Sequence, residues 1–339
     1  MANRSFISIV TIGLLLSFIV SVPRQVESIG VCYGRQGDNL PPANEVVELY
    51  KSYGIGGIRL YDNNHDVLEA LRGSNIPVII DVLESDLTVM ASDPAAASGW
   101  VNDNIQPFSP DVNFRYIAVG NELIPGSHPQ DILPAMQNLQ NALVSVGLQD
   151  RIKVSTSVST NVLGNSYPPS AGTFSSNILP ILQPIVAFLS ANDAPLLVNV
   201  YPYFSYIGNP DSISLDYALF TSPAPVVIDG QLQYQNLFDA IIDALFSALE
   251  NVGGGDVNLV VSETGWPSDG EEVATLQNAQ TYLSNLINHV GQGTPKRPGI
   301  HIDTYLFALF DENLKQPQGT ENHYGLFSPD KQPKYSLNL

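Results

Sequence analysis

Glu122 and Glu263 each follow a short apolar run. Phe114–Val119 leads through Gly120-Asn121 to the first, and Val257–Val261 leads through Ser262 to the second. Two carboxyl groups facing one groove can divide the work of bond cleavage. One protonates a departing oxygen while the other attacks carbon or activates water. Flat rings recur at matching places along the chain, at Tyr61, Tyr201, Phe204, Trp266 and Phe307. Aromatic faces bind the apolar C–H faces of sugar rings, and polar groups fix the hydroxyls. A glutamate pair with such rings points to glycosidic bond cleavage through an oxocarbenium-like state.

These side chains need a scaffold that aims them at one place. Buried parallel strands read as short continuous apolar runs, and helices as apolar positions spaced by three and four. Eight runs fit strands: Ile29–Tyr33, Ile58–Leu60, Ile76–Val82, Phe114–Val119, Ile152–Val158, Leu196–Val200, Val257–Val261 and Ile302–Phe307. Seven are followed by helical patterns, the clearest being Ile132, Met136, Leu139, Leu143 and Val146. The eighth helix is poorly signalled. This alternation predicts an α/β fold, a (β/α)8 TIM barrel. The longest connection lies between the sixth strand and its helix. It holds Pro210, Pro223 and Pro225, and an Asp229-Gly230 pair between Val226–Ile228 and Leu232–Tyr234 that reads as a hairpin turn. This stretch is expected to be a small rim insertion, not a second domain.

In such barrels chemistry sits at the carboxyl ends of the strands. Those ends carry Tyr61-Asp62, Asp81, Asn121-Glu122, Tyr201 to Phe204, Ser262 to Trp266 and Asp311-Glu312. Each has a plain reading as well. A rim glutamate is usually a solvated charge, and Glu312 with Lys315 could be a surface ion pair worth under about 1 kcal/mol. The rings could be packing residues, as is expected of Tyr203. Asp62 and Asp81 read as hydrogen-bonding supports. The five histidines show no metal-ligand spacing and no thiolate cluster exists, so no metal is inferred. No Gly-rich phosphate loop precedes a helix, so no nucleotide cofactor is suggested.

Composition narrows the partners. Of 339 residues, 33 are acidic and 14 basic, a formal net charge of −19. Nucleic acid and polybasic membrane anchoring are disfavoured, because both need Lys/Arg patches. With 44% hydrophobic and 14% charged residues, the chain is expected to fold into a globule. Arg4 precedes an uncharged, mostly apolar run from Phe6 to Val22, and Val26-Glu27-Ser28 suits signal peptidase. Residues 1–28 therefore read as a signal peptide and 29–339 as a single catalytic domain. No later run is long enough to span a membrane. The single cysteine, Cys32, can form no internal disulfide and reads as a small buried residue. The only N-glycosylation sequon, Asn3-Arg4-Ser5, lies inside the leader.

Several segments carry a resemblance. Val260-Val261-Ser262-Glu263-Thr264-Gly265-Trp266-Pro267-Ser268 resembles the nucleophile signature of plant endo-1,3-β-glucanases, glycoside hydrolase family 17. The segments beginning Ile29-Gly30-Val31-Cys32, Arg59-Leu60-Tyr61-Asp62, Phe114-Arg115-Tyr116, Val198-Asn199-Val200-Tyr201 and Phe307-Ala308-Leu309-Phe310 fit the same family in order. The resemblance spans residues 29–335. It implies retaining hydrolysis of internal bonds in 1,3-β-glucan polysaccharide (callose, laminarin, fungal wall glucan). It also implies Glu122 as acid/base, Glu263 as nucleophile, and Asn121 as hydrogen-bond partner of the sugar 2-hydroxyl. Glu312 and Lys315 would stand near the site, with Tyr201 and Phe204 stacking a sugar on the leaving-group side. Leu314 falls where relatives often carry a polar residue. The family further implies a secreted, extracellular protein, with the vacuole less favoured for want of a long tail after Leu339. Monomer is the default. A 1,3-1,4-β-glucanase on the same scaffold and a non-catalytic wall-glucan binder are the rival functions.

Overall fold

The computed structural model describes residues 29–339; the expected signal peptide, residues 1–28, lies outside the described residues. The apolar runs form β1 (Gly30–Tyr33), β2 (Gly57–Leu60), β3 (Pro77–Val82), β4 (Asn113–Asn121) and β5 (Lys153–Ser159). After a hairpin of β6 (Leu163–Asn165) and β7 (Thr173–Phe174) comes β8 (Leu196–Asn199). A second hairpin of β9 (Val227–Asp229) and β10 (Leu232–Tyr234) is followed by β11 (Leu259–Thr264) and β12 (Thr304–Leu306). Eight of these close a parallel barrel in the order β1-β12-β11-β8-β5-β4-β3-β2. This is the expected (β/α)8 barrel.

The helices are α1 (Ala43–Tyr53), α2 (His65–Leu71), α3 (Glu84–Ser92), α4 (Pro94–Asn104), α5 (Pro129–Ser145) and α6 (Leu179–Ala191). They continue with α7 (Pro202–Gly208), α8 (Leu215–Ala218), α9 (Leu237–Asn251) and α10 (Leu276–His289). Side-chain caps mark several starts. Asn64, Asn236 and Thr275 accept from the backbone N–H three residues on, satisfying donors that the helix itself leaves open. Among the described residues, β12 is followed only by a short 3₁₀ turn at Thr320–Asn322, which explains why no eighth helical pattern could be read. No described helix is long and apolar enough to cross a membrane.

The rim insertion holds α7, α8 and the β9–β10 hairpin. Its turn lies one residue later than expected. Asp229 pairs with Leu232, so the loop is Gly230-Gln231, with Gly230 at φ 63°. Asp229 is drawn into the strand because its carboxylate also accepts from the Ser170 backbone N–H (2.7 Å) and hydroxyl (2.8 Å).

Two apolar layers result from alternation along the strands. Val31, Ile58, Ile80, Ile117, Val154, Val198 and Val261 pack outward against the helices. Ile79, Tyr116, Leu197, Val260 and Tyr305 pack together inside the barrel. Tyr305 fills space beside β1 so closely that any side chain at Gly30 would overlap its ring. Nearer the carboxyl ends, the buried polar residues Arg59, Asp81, Ser157, Asn199 and Ser262 replace the apolar filling.

Candidate active site

Both glutamates sit beside irregularities in strand register. The β4–β5 register shifts between Ala118 and Asn121, and the β11–β8 register shifts between Val261 and Glu263. Such bulges bend a strand and re-aim its side chains. Glu122 has φ 57°, a conformation a non-glycine residue adopts at some cost. Its backbone N–H is anchored on the Ser157 carbonyl (2.8 Å).

The two carboxyl groups line one groove of about 490 Å³ at the carboxyl end of the barrel. Three donors converge on Glu263. Arg59 Nη1 (2.9 Å) and the Tyr61 hydroxyl (2.8 Å) donate to Oε1, and the Tyr201 hydroxyl (2.8 Å) donates to Oε2. A carboxylate is acceptor-only and matches this set. Burial pushes the pKa of both tyrosine hydroxyls well above the usual phenol range, so both keep the protons they donate. Glu122 meets a different setting. Burial, and secondly the negative charge of Glu263, push its carboxyl above the usual carboxylate range; a hydrogen bond from Asn199 and the charge of Arg59 oppose this. One carboxyl is thus surrounded by donors, and the other is pushed above the usual carboxylate range.

Arg59 is the hub beneath them. Its side chain is fully buried and joins Asp81 (2.8 Å), Asn121 Oδ1 (2.9 Å) and Asn199 Oδ1 (3.1 Å) besides Glu263. Asn121 Oδ1 also accepts from Asn199 Nδ2 (3.0 Å). Its oxygen is therefore occupied, and its two N–H donors remain for a partner in the groove.

The structure brings nine of the ten predicted site residues to this groove: Asn121, Glu122 and Glu263, the rings Tyr61, Tyr201, Phe204 and Phe307, and the charged pair Glu312 and Lys315. Phe204 is 43% exposed, so its ring is open to contact. Lys315 Nζ lies 4.1 Å from the centre of the Phe307 ring and 3.0 Å from Glu321. Glu312 accepts from the Gln36 backbone N–H (2.7 Å), and burial raises its carboxyl above the usual range. A side chain at Gly34 would collide with Glu312. Trp266 is the exception, and the expectation of sugar contact is corrected. Its ring is buried against Tyr203 and Tyr282 and donates to the Val273 carbonyl. It supports the loop after Glu263 from behind. Tyr203 is likewise buried.

Sequence reasoning passed over Arg59 and Asn199 as functional residues. The signal was present, since each interrupts an apolar strand, Ile58-Arg59-Leu60 and Val198-Asn199-Val200. A polar residue inside a buried strand needs partners in the interior.

A second cavity of about 500 Å³ lies at the opposite end of the barrel, near the starts of β4, β5, β8 and β11. Arg115, Arg151, Lys153, Arg297, Asp256 and Asp303 are among its lining residues.

Comparison with known proteins gives a consistent result. Residues 29–339 match the model of Glycosyl hydrolases family 17. A glucan endo-1,3-beta-glucosidase of Vitis vinifera is 53% identical over 99% of this chain and 98% of its own length. The basic vacuolar isoform GLB of that enzyme from Nicotiana tabacum is 53% identical, over 98% of this chain and 90% of its own. Among solved structures, CJP38, a beta-1,3-glucanase and allergen of Cryptomeria japonica pollen, superposes with a TM-score of 0.90 at 49% identity, covering 92% of this chain and 99% of the other.

Proposed function

The chain belongs to glycosyl hydrolase family 17, and from that premise we propose that it is a retaining endo-hydrolase of 1,3-β-glucans with Glu122 as acid/base and Glu263 as nucleophile. The observation that carries this reading is the contrast between two carboxyl groups lining one groove. Glu263 is ringed by donors, while Glu122 is held above the usual carboxylate range.

In the first step a Glu263 oxygen forms a bond to the anomeric carbon as the glycosidic C–O bond breaks. The electron pair of that bond goes to the departing oxygen, which takes the proton of Glu122. In the second step Glu122 accepts a proton from water, the water oxygen attacks the anomeric carbon, and Glu263 leaves as a carboxylate. Tyr61, Tyr201 and Arg59 hold the nucleophile in place. Asn121 donates to the sugar 2-hydroxyl from the amide whose oxygen is occupied. Phe204 and Tyr201 offer rings for stacking on the leaving-group side, and Phe307, Glu312 and Lys315 line the neighbouring wall. A neutral polysaccharide is not repelled by a strongly acidic protein. We place the enzyme on the secretory route as a monomer, with residues 1–28 removed and an extracellular destination.

The test is hydrolysis of laminarin and of mixed-linkage 1,3-1,4-β-glucan, followed by product size and anomer. Short laminari-oligosaccharides released first as β-anomers support the reading. Preferential cleavage of the mixed glucan would shift the specificity, α-anomers would overturn retention, and bound but uncut laminarin would leave a glucan binder.

A further inference from the structure

We propose that Asn199 is a positioning residue that fixes the Glu122 carboxyl so that its transferable proton resides on Oε2. The inference rests on Glu122 being the acid/base. Asn199 ends β8, is 1% exposed, and has both polar atoms of its amide engaged. Its Oδ1 accepts from Arg59 Nη1 (3.1 Å), the Ser157 hydroxyl (3.0 Å) and the Ser262 hydroxyl (2.8 Å). Its Nδ2 donates to Glu122 Oε1 (2.8 Å) and Asn121 Oδ1 (3.0 Å).

Chemistry dictates which way round this amide sits. A guanidinium carries only donors and keeps its charge. Turning the amide over would set N–H against N–H at Arg59. It would also set oxygen against oxygen at Asn121. Arg59 cannot yield, because Asp81 and Glu263 hold it from two sides. The Nδ2 group therefore faces Glu122 as a pure donor. In a neutral carboxyl group the carbonyl oxygen is a better acceptor than the hydroxyl oxygen, so a donor at Oε1 favours the proton on Oε2.

The same bond favours the ionised form of Glu122. It counters the burial that would otherwise hold the proton too firmly for release. Once the proton has gone, the N–H steadies the carboxylate that must deprotonate water.

The test compares two substrates on Asn199→Ala. Laminarin needs its leaving oxygen protonated; a 2,4-dinitrophenyl β-laminaribioside does not. The expected result is a loss of about 10²-fold in kcat/KM on laminarin and under about fivefold on the aryl glycoside, the usual worth of general acid catalysis. The basic limb of the laminarin pH profile should move to higher pH, since a bond to the ionised form is gone. Equal losses on both substrates, an unmoved basic limb or undiminished laminarin activity would each overturn the proposal. Ser157→Ala keeps the amide but removes one donor that orients it, and covers the case of an Asn199→Ala protein that fails to fold. It should show the same contrast at about fivefold on laminarin, and equal losses there overturn the proposal as well. Glu122→Ala run alongside separates the two claims. Absence of the leaving-group contrast in that variant sinks the acid/base assignment itself. Its presence there, without the contrast in the Asn199 or Ser157 variant, sinks only the role of Asn199.

Discussion

The two ends of the barrel hold cavities of nearly equal volume, about 490 Å³ at the carboxyl end and about 500 Å³ at the amino end. Size does not tell them apart; the disposition of charge does. At the amino end basic side chains meet a carboxylate, a carbonyl and an aromatic face. Arg115 pairs with Asp303 at 2.7 Å, Lys153 donates to the Asn192 carbonyl, and the Arg297 guanidinium lies 3.7 Å over the Phe246 ring. At the carboxyl end like charges are brought together instead. Glu122, Glu263 and Glu312 line one groove, and two of them are pushed above the usual carboxylate range. Gathering like charges costs stability and is found where chemistry requires it. Arginine and carboxylates closing the floor of a barrel serve its stability.

Substitutions at the two ends should therefore separate activity from stability. The largest effect is expected for Glu263→Ala, a loss of about 10⁴-fold or more in kcat in a protein that keeps its fold. Residual laminarin hydrolysis near the wild-type rate would break the comparison. Glu122→Ala follows, with a loss of about 10²–10⁴-fold. Because burial and the charge of Glu263 raise the Glu122 carboxyl, the acid stays protonated to a higher pH than an ordinary glutamate. The basic limb of kcat/KM should thus lie above the usual carboxylate range of roughly 4.3, and a limb at or below that range would contradict this cause. Tyr201→Phe removes one donor from Glu263 while keeping the ring. It should cost about 10–100-fold in kcat, the worth of a hydrogen bond to a charged group, and an unchanged kcat would remove Tyr201 from the support of the nucleophile. Arg115→Ala at the amino end should leave kcat and KM as they are. It should lower stability by under about 1 kcal/mol, as for a partly exposed ion pair; a clear loss of activity would show the two ends to be coupled.

Most of the fold was legible because buried parallel strands announce themselves. Phe114–Val119 and Val257–Val261 could be read as strands from composition alone, and their ends located both glutamates. Less could be read where a residue acts through distant partners. Arg59 and Asn199 sit on separate strands, and only barrel closure brings them within 3.1 Å. Trp266 was misleading for the opposite reason. Adjacency in sequence to Glu263 suggested sugar contact, but the chain turns after β11 and buries the ring against Tyr203. The β6–β7 hairpin was also invisible, since its strands of three and two residues carry no periodicity to detect.

The central claim is that Glu263 bonds to the sugar while Glu122 manages the proton. Incubation with a 2-deoxy-2-fluoro-β-laminaribiosyl fluoride, followed by proteolysis and mass spectrometry, addresses it most directly. The account predicts one added 2-fluoro-laminaribiosyl group, carried on Glu263 in the peptide containing Ser262-Glu263-Thr264. A label on any other residue, or an active enzyme that accumulates no adduct and releases the α-anomer, would contradict it.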